Sequence, residues 1–304
     1  MKFELTILGS NSALPTPKRF SSAQILNINE RFFLIDCGEG TQIQLRRFKQ
    51  AFSKINNIFI SHLHGDHYFG LPGLISSFSL LGRRADLNIY GPKELEQIIN
   101  CQLGAFGDKL SFKINFIATN PKQDELIYED KEVLIKSFPL KHRVETTGFF
   151  FKERDKKRSL IKDKIDFYNI PIKLREKIKS GDDFITEDGD LIKNKYLTKD
   201  GPKPRSFAYC SDTLYNESII DIIKNCDLLY HEATFSNEHI ARAKETKHST
   251  AEQAAKIAKL AKVKKLIIGH FSPRYRSLGE LYNEATAVFE NTQIVNDGEV
   301  YKVD

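Results

Sequence analysis

The 304-residue sequence has no tryptophan, one methionine and only four cysteines. Cys37, Cys101, Cys210 and Cys226 are widely scattered and form no C-x-x-C pair, which argues against a zinc knuckle, a redox dithiol or a disulfide-stapled mini-domain. They read as free thiols. No apolar stretch is long enough to span a bilayer, and the first residues lack the apolar core and small-residue cleavage site of a signal peptide, so the expectation is a cytoplasmic protein without a membrane partner. Internal repeats of solenoid or propeller length and extended low-complexity tracts are also missing. What remains is a composition of 40% hydrophobic and 28% charged residues, which suits a packed enzyme and excludes a disordered or fibrous chain. A formal charge of +6 permits a polyanionic partner without requiring one.

Short β-branched or aromatic runs bounded by turn residues predict strands over 3–8, 24–28, 32–35 and 57–60. Helical periodicity follows over 70–81, 92–103, 216–224, 250–261 and 278–290, interleaved with strand-like 132–138, 206–210 and 265–268. Strands and helices mixed in this way predict a layered α/β fold. Residues 151–200 interrupt it: they are rich in Lys, Asp and Glu, poor in long apolar periodicity, and read as an insertion on a single domain spanning 1–304.

The chemistry concentrates in Ile58-Phe59-Ile60-Ser61-His62-Leu63-His64-Gly65-Asp66-His67, where an apolar strand runs into three imidazoles and a carboxylate within six residues. These are groups that zinc accepts, and a loop at a strand end can turn alternate side chains toward one point. His62 and His64 would share one metal, and Asp66 and His67 would face a neighbouring one. Further ligands must come from elsewhere. His142 and His270 each closely follow a predicted strand, and Asp212 ends another. A carboxylate there can bridge two cations, or it can cap the next helix.

The pattern H-x-H-x-D-H followed in order by strand-end His, Asp and His resembles the two-metal set of the metallo-β-lactamase superfamily. The resemblance implies an αβ/βα sandwich of two central mixed β-sheets flanked by helices. It also implies two zinc ions per subunit, one held by His62, His64, His142 and Asp212 and the other by Asp66, His67, His270 and the bridging Asp212. The fold hosts many chemistries, so the substrate has to be read from other motifs.

Those motifs resemble the ribonuclease Z family over nearly the whole chain: Asp36-Cys37-Gly38-Glu39-Gly40-Thr41-Gln42, Tyr68-Phe69-Gly70-Leu71-Pro72-Gly73-Leu74, His231-Glu232-Ala233-Thr234-Phe235 and Lys247-His248-Ser249-Thr250. Glu232 is expected to orient and polarise His248, which sits before a helix opened by a capping box at Ser249 and Glu252. His231 is expected to be structural and His239 exposed. Phe271-Ser272-Pro273-Arg274-Tyr275 is similar to the family's phosphate-meeting run, implying substrate roles for Phe271 and Arg274. The loop from Pro15 to Ser22 is similar to the family's loop near the substrate 3′ end and puts Lys18 and Arg19 forward, although Phe20 stands where the usual bacterial pattern has Asn. The insertion occupies the position of the family's tRNA-gripping exosite arm. Residues 152–164 hold seven Lys or Arg against three Asp or Glu, with Lys156, Lys157 and Arg158 as candidate phosphate contacts. Asn169-Ile170-Pro171-Ile172-Lys173 replaces the family's Gly-Pro tip.

The resemblance implies a zinc-dependent endoribonuclease acting as a homodimer on precursor tRNA. It would leave a 3′-hydroxyl on the tRNA and a 5′-phosphate on the trailer, with Asp66 as both ligand and general base and His248 as the acid for the leaving oxygen. The rivals are another two-zinc phosphodiesterase or arylsulfatase, which has no use for a basic arm, and a non-catalytic RNA-binding relative, against which the intact ligand set argues.

Overall fold

The computed structural model describes residues 2–104 and 110–304, and the chain divides into two compact units, Met1–Lys152 with Arg205–Asp304, and Glu153–Pro204. Among the described residues the strands are, in chain order, β1 (Phe3–Gly9), β2 (Ala23–Ile28), β3 (Arg31–Ile35), β4 (Ile55–Phe59), β5 (Leu87–Gly91), β6 (Ile114–Ala118), β7 (Glu125–Glu129), β8 (Val133–Leu140), β9 (Thr146–Glu153), β10 (Ser159–Leu160), β11 (Phe184–Ile185), β12 (Leu191–Ile192), β13 (Thr198–Lys199), β14 (Ser206–Cys210), β15 (Leu228–Glu232), β16 (Lys265–Gly269), β17 (Thr292–Ile294) and β18 (Val300–Lys302).

The larger unit holds two seven-stranded mixed sheets, ordered β18-β1-β2-β3-β4-β5-β6 and β17-β16-β15-β14-β9-β8-β7. In the first, β1 to β3 pair antiparallel and β3 to β6 parallel; in the second, β14 to β17 run parallel while β9 joins β14 antiparallel. The period-2 alternation of each strand decides which layer a side chain enters. On β3, Phe33 and Ile35 join Phe3, Leu5, Phe59, Phe149, Phe151 and Phe207 in the core that draws on both sheets. Phe32 and Leu34 join instead the outer cluster with Leu71, Leu74 and Phe78 of the helix Leu71–Leu80. Phe59 stacks on Tyr90 at 4.6 Å and meets Phe149 and Phe151 edge-on at 5.4 and 5.5 Å, so the strand that leads into the metal-ligand run is anchored by aromatic packing.

Two expectations need correction here. Phe151 is fully buried on β9 within the core, so the inserted unit begins at Glu153 and closes at Pro204 rather than spanning 151–200. The capping box before helix Ala251–Leu260 is made by Thr250 and Gln253, one residue on from the expected pair, because the Ser249 hydroxyl donates to the Thr213 carbonyl and its N–H to Glu232. That helix buries Ala251, Ala254, Ala255, Ile257 and Ala258 on one stripe, the 3.6-residue signature visible in the sequence.

The smaller unit has its own core of Ile165, Ile170, Ile178, Phe184 and Leu197, two short two-stranded ladders, β10 with β13 and β11 with β12, and the helices Lys162–Phe167 and Ile172–Lys179. Those helices escape sequence reading because each buries a single residue, Ile165 or Ile178. Among the described residues no helix is long and apolar enough to cross a membrane.

Candidate metal centre

The chemistry-bearing residues collect where strands end. Asp36 follows β3, Ser61 to His67 follow β4, Asp212 follows β14, Glu232 closes β15 and His270 follows β16, all at the carboxyl ends of parallel strands, where open α/β sheets place ligands. His142 enters after β8. Asp36 (φ 53°), Lys247 (φ 55°) and His270 (φ 62°) all occupy the left-handed backbone region that side chains avoid, a strain held in place by the contacts around them.

Among the described residues His62, His64, His142 and Asp212 bring four ligand atoms together, Asp66, His67 and His270 bring three, and Asp212 also groups with His248 and His270. His64 Nδ1 lies 3.0 Å from His62 Nε2 and 3.1 Å from His142 Nε2. Asp212 Oδ2 is 3.6 and 3.7 Å from those same Nε2 atoms, while its Oδ1 is 3.5 Å from His67 Nε2 and 3.2 Å from His270 Nε2. Asp66 Oδ2 completes the second group at 3.3 Å from His67 Nε2 and 3.4 Å from His270 Nε2. Asp212 therefore faces one group with each oxygen. The helix-cap alternative fails, since Asn216 caps the next helical turn.

The outer partners fix which nitrogen of each ring faces inward. His142 Nδ1 donates to the Lys247 carbonyl at 2.8 Å and His67 Nδ1 to Asp36 at 2.7 Å. The Thr234 hydroxyl donates to Glu232 at 2.7 Å and so accepts from His270 Nδ1 at 2.9 Å. The Ser61 hydroxyl likewise donates to Asp36 and accepts from His62 Nδ1, both at 3.0 Å. Each of these four rings, when neutral, turns an Nε2 lone pair into the centre, where the other groups are His64 Nδ1 and the carboxylates of Asp66 and Asp212. A buried space lined by acceptors needs a cation, and His67 Nε2 and Asp212 Oδ1 are buried there without any hydrogen-bond partner. The donor set of imidazole nitrogen and carboxylate oxygen therefore fits divalent metal ions.

The electrostatics agree. Burial holds His62 well below the usual imidazole range and His142 down to about 4, favouring the neutral ligating form. For His67 burial also disfavours charge, but Asp66, Asp212 and Asp36 outweigh it and raise its pKa well above normal, so without a cation this ring takes a proton that a metal ion would displace. Burial would raise Asp66 and Asp212, yet the surrounding imidazoles hold both below the carboxylate range.

Asp36 and Tyr209 were not singled out as site residues by sequence reading. Asp36 is fully buried and accepts from the Ser61 N–H at 2.8 Å, the Ser61 hydroxyl, His67 Nδ1 and the Tyr209 hydroxyl at 2.6 Å. It thereby orients a candidate ligand and ties the first sheet to β14 of the second. The signal available was position: Asp36 ends an apolar strand, as the candidate ligands do. Gly38 allows the close approach, since a Cβ there would lie 2.3 Å from the Asp66 carbonyl oxygen.

Glu232 is also fully buried and accepts five hydrogen bonds, from the N–H groups of Thr213, Thr234 and Ser249, the Thr234 hydroxyl, and His248 Nδ1 at 3.0 Å. Burial opposes charge on His248, but Glu232 and Asp212 overcome it and push its pKa up to about 9. The His248 ring lies 5.0 Å from that of His142 and 5.4 Å from that of His270, beside the candidate ligands.

The outlying candidates divide. Phe271 is buried, its backbone bonded to Ser10 and Ser12. Arg19 lies over the Phe271 ring and donates to Ser10, the Val295 carbonyl and Asn296, which commits its guanidinium to holding its own loop. In the same loop the Ala13 N–H donates to Asp66 at 2.8 Å, and Lys18 is exposed. Arg274 is exposed above the Phe235 ring. In the smaller unit Lys156 pairs with Glu153, Lys157 with Glu176 and Arg158 with Asp200. His231 is buried with Nδ1 donating to the Glu232 carbonyl; His239 is half-buried against Phe235 and Tyr275 rather than exposed.

Comparison with known proteins identifies the lineage. The family model described as Anti-Pycsar protein Apyc1 matches residues 3–167. Proteins named Ribonuclease Z are similar along almost the full length: that of Bacteroides thetaiotaomicron is 50% identical over 97% of this chain and 94% of its own, and that of Porphyromonas gingivalis 45% identical over 97% of each. Among solved structures, human tRNase Z, short form, superposes with a TM-score of 0.72 at 26% identity over 99% of both chains. The metallo-β-lactamase fold protein YhfI from Bacillus subtilis gives 0.70 at 20% identity over 99% and 100%. The chain therefore belongs, over residues 3–167, to the family of that model and, over nearly its whole length, to the ribonuclease Z family of metal-dependent endoribonucleases with the metallo-β-lactamase fold.

Proposed function

We propose that this chain removes the 3′ trailer from precursor tRNA, leaving a 3′-hydroxyl on the tRNA and a 5′-phosphate on the trailer. One zinc would be held by His62, His64, His142 and Asp212 and a second by Asp66, His67, His270 and the shared Asp212. The observation that carries the reading is the acceptor-lined centre beside a Glu232-held His248 in a ribonuclease Z chain. Bound metal would supply an acidified water and charge relief on the phosphoryl oxygens.

The protein's own groups do the rest. Asp66, held by the Ala13 N–H, is the proposed base for the attacking water. As the water oxygen bonds to phosphorus, the bond from phosphorus to the tRNA 3′ oxygen breaks and that oxygen needs a proton. With Nδ1 fixed on Glu232, His248 has Nε2–H to give, and the carboxylates beside it keep it charged at neutral pH. Arg274, whose donors beyond the bond to Ser272 face no carboxylate among the described residues, suits a phosphate near the cut. The Glu153–Pro204 unit is the proposed exosite arm, with Lys156, Lys157 and Arg158 among its contacts to tRNA phosphates.

A homodimer is supported by the groove between helices Thr41–Arg47 and Leu71–Leu80, an opening of about 420 Å³ flanked by exposed Ile43, Leu80 and Leu81. A cytoplasmic setting suits the buried free thiols of Cys37, Cys210 and Cys226. End-group analysis of a cleaved precursor tests the reaction: a 5′-phosphate on the trailer is expected, and a 5′-hydroxyl would contradict the proposed direction of bond breaking.

A further inference from the structure

A second feature lies against the metal centre in the same unit. Beside His142 a cleft of about 470 Å³ is lined by Lys122, Lys141, Arg143 and Lys247, with Glu145 its only acid. All four cations are exposed, and among the described residues none forms an ion pair with a carboxylate. With Glu145 the one acid against four cations in the lining, the cleft carries net positive charge. Such a concave arrangement focuses the field on an anion, and its size suits a ligand of one or two nucleotides.

The cleft is tied to the reacting centre. Lys247 holds His142 from two sides, its carbonyl accepting from Nδ1 at 2.8 Å and its ammonium donating to the His142 carbonyl at 3.2 Å. The next residue is His248. The His142 ring in the cleft wall lies 5.0 Å from the His248 ring, so a strand seated in the cleft passes close to the proposed leaving-group acid. In the proposed reaction the leaving oxygen belongs to the tRNA and the phosphorus to the trailer.

Resting on that reading, we propose that the cleft of Lys122, Lys141, Arg143 and Lys247 binds the backbone phosphates of the tRNA acceptor strand immediately 5′ of the cut. The trailer leaves by another path. The contacts are to phosphate, so they add affinity and register without reading sequence.

The test compares wild type with the charge-reversal variant Lys122→Glu/Arg143→Glu, and with the milder Lys122→Gln/Arg143→Gln should the first fold poorly; metal content and melting temperature report on the centre. Three RNAs are used: mature tRNA ending at the discriminator base, a precursor with a one-nucleotide trailer, and one with a long trailer. The inference expects roughly tenfold weaker binding of all three alike, and a log K against log salt slope reduced by about two, near one per lost phosphate contact. Undiminished binding of mature tRNA, or a loss confined to the long trailer, would overturn it. If wild type fails to cleave any precursor, the underlying reading falls; if wild type cleaves and the variant binds as well as wild type does, this inference alone falls.

Discussion

The two units of the chain carry their charge in opposite ways. In the larger one, buried imidazoles and carboxylates are held from outside by Asp36, Ser61, Thr234, Glu232 and the Lys247 carbonyl, and His67 Nε2 and Asp212 Oδ1 among their inward atoms have no hydrogen-bond partner. In the smaller one, the basic side chains at 156–158 are matched by Glu153, Glu176 and Asp200 of the same unit and stand at or near its surface. A buried acceptor cluster is costly unless a cation enters, whereas an exposed paired cation is cheap and exchangeable. Under the proposed function the difference separates chemistry from grip: the first unit would bind metal and move a proton, and the second would offer salt-sensitive contacts.

The strongest way to break this contrast is within the metal centre. His64→Ala leaves His62 Nε2 and His142 Nε2 without their shared neighbour, so metal content and cleavage should fall together, by more than the roughly 100-fold that outer-shell changes cost. Full metal occupancy measured by mass spectrometry would contradict it. His248→Ala should keep metal and tRNA binding while lowering single-turnover cleavage by about 10²–10⁴, the range for a general acid. Because the pKa of His248 is raised, to about 9, its proton is present at neutral pH and lost as pH rises through that value. Cleavage should therefore decline on the alkaline side, and Glu232→Gln, by removing the nearest negative charge, should move that decline to lower pH. An unmoved profile would detach His248 from the reaction.

Tyr209→Phe sharpens the comparison inside the larger unit. It removes one of four donors to Asp36 and should weaken metal at the Asp66, His67 and His270 group by about 10- to 100-fold, more than at the His62, His64 and His142 group. Equal losses at both in a cobalt titration would reduce Tyr209 to general support. Replacing residues 153–204 by a short linker should have the smallest effect on chemistry. Turnover of bis(p-nitrophenyl) phosphate persists while precursor tRNA affinity falls; an unchanged affinity would favour the rival reading as a small-molecule phosphodiesterase.

How much of this was legible depended on how local the signal was. The run from Ser61 to His67 is contiguous, and His142, Asp212 and His270 each announce themselves as polar residues ending apolar strands. Asp36 ends an apolar strand as they do, but its part in the site needed tertiary information, since its partners Ser61, His67 and Tyr209 are distant in sequence. The sequence around Phe271 leaves its direction open, because an aromatic beside a ligand can face either substrate or core, and the structure buries it. Ser249 misled for a similar reason: its donors are engaged by Glu232 and Thr213, which shifts the helix cap to Thr250. The helices of the smaller unit carry too few buried positions to show a periodicity, and only the composition shift marked the segment at all.

Incubation of the purified protein with a 3′-extended precursor tRNA, with and without a chelator, bears most directly on the central claim. A single metal-dependent cut beside the discriminator base is the predicted result. Cleavage elsewhere, undiminished cleavage once metal is removed, or an intact precursor alongside active hydrolysis of a small phosphodiester would contradict it.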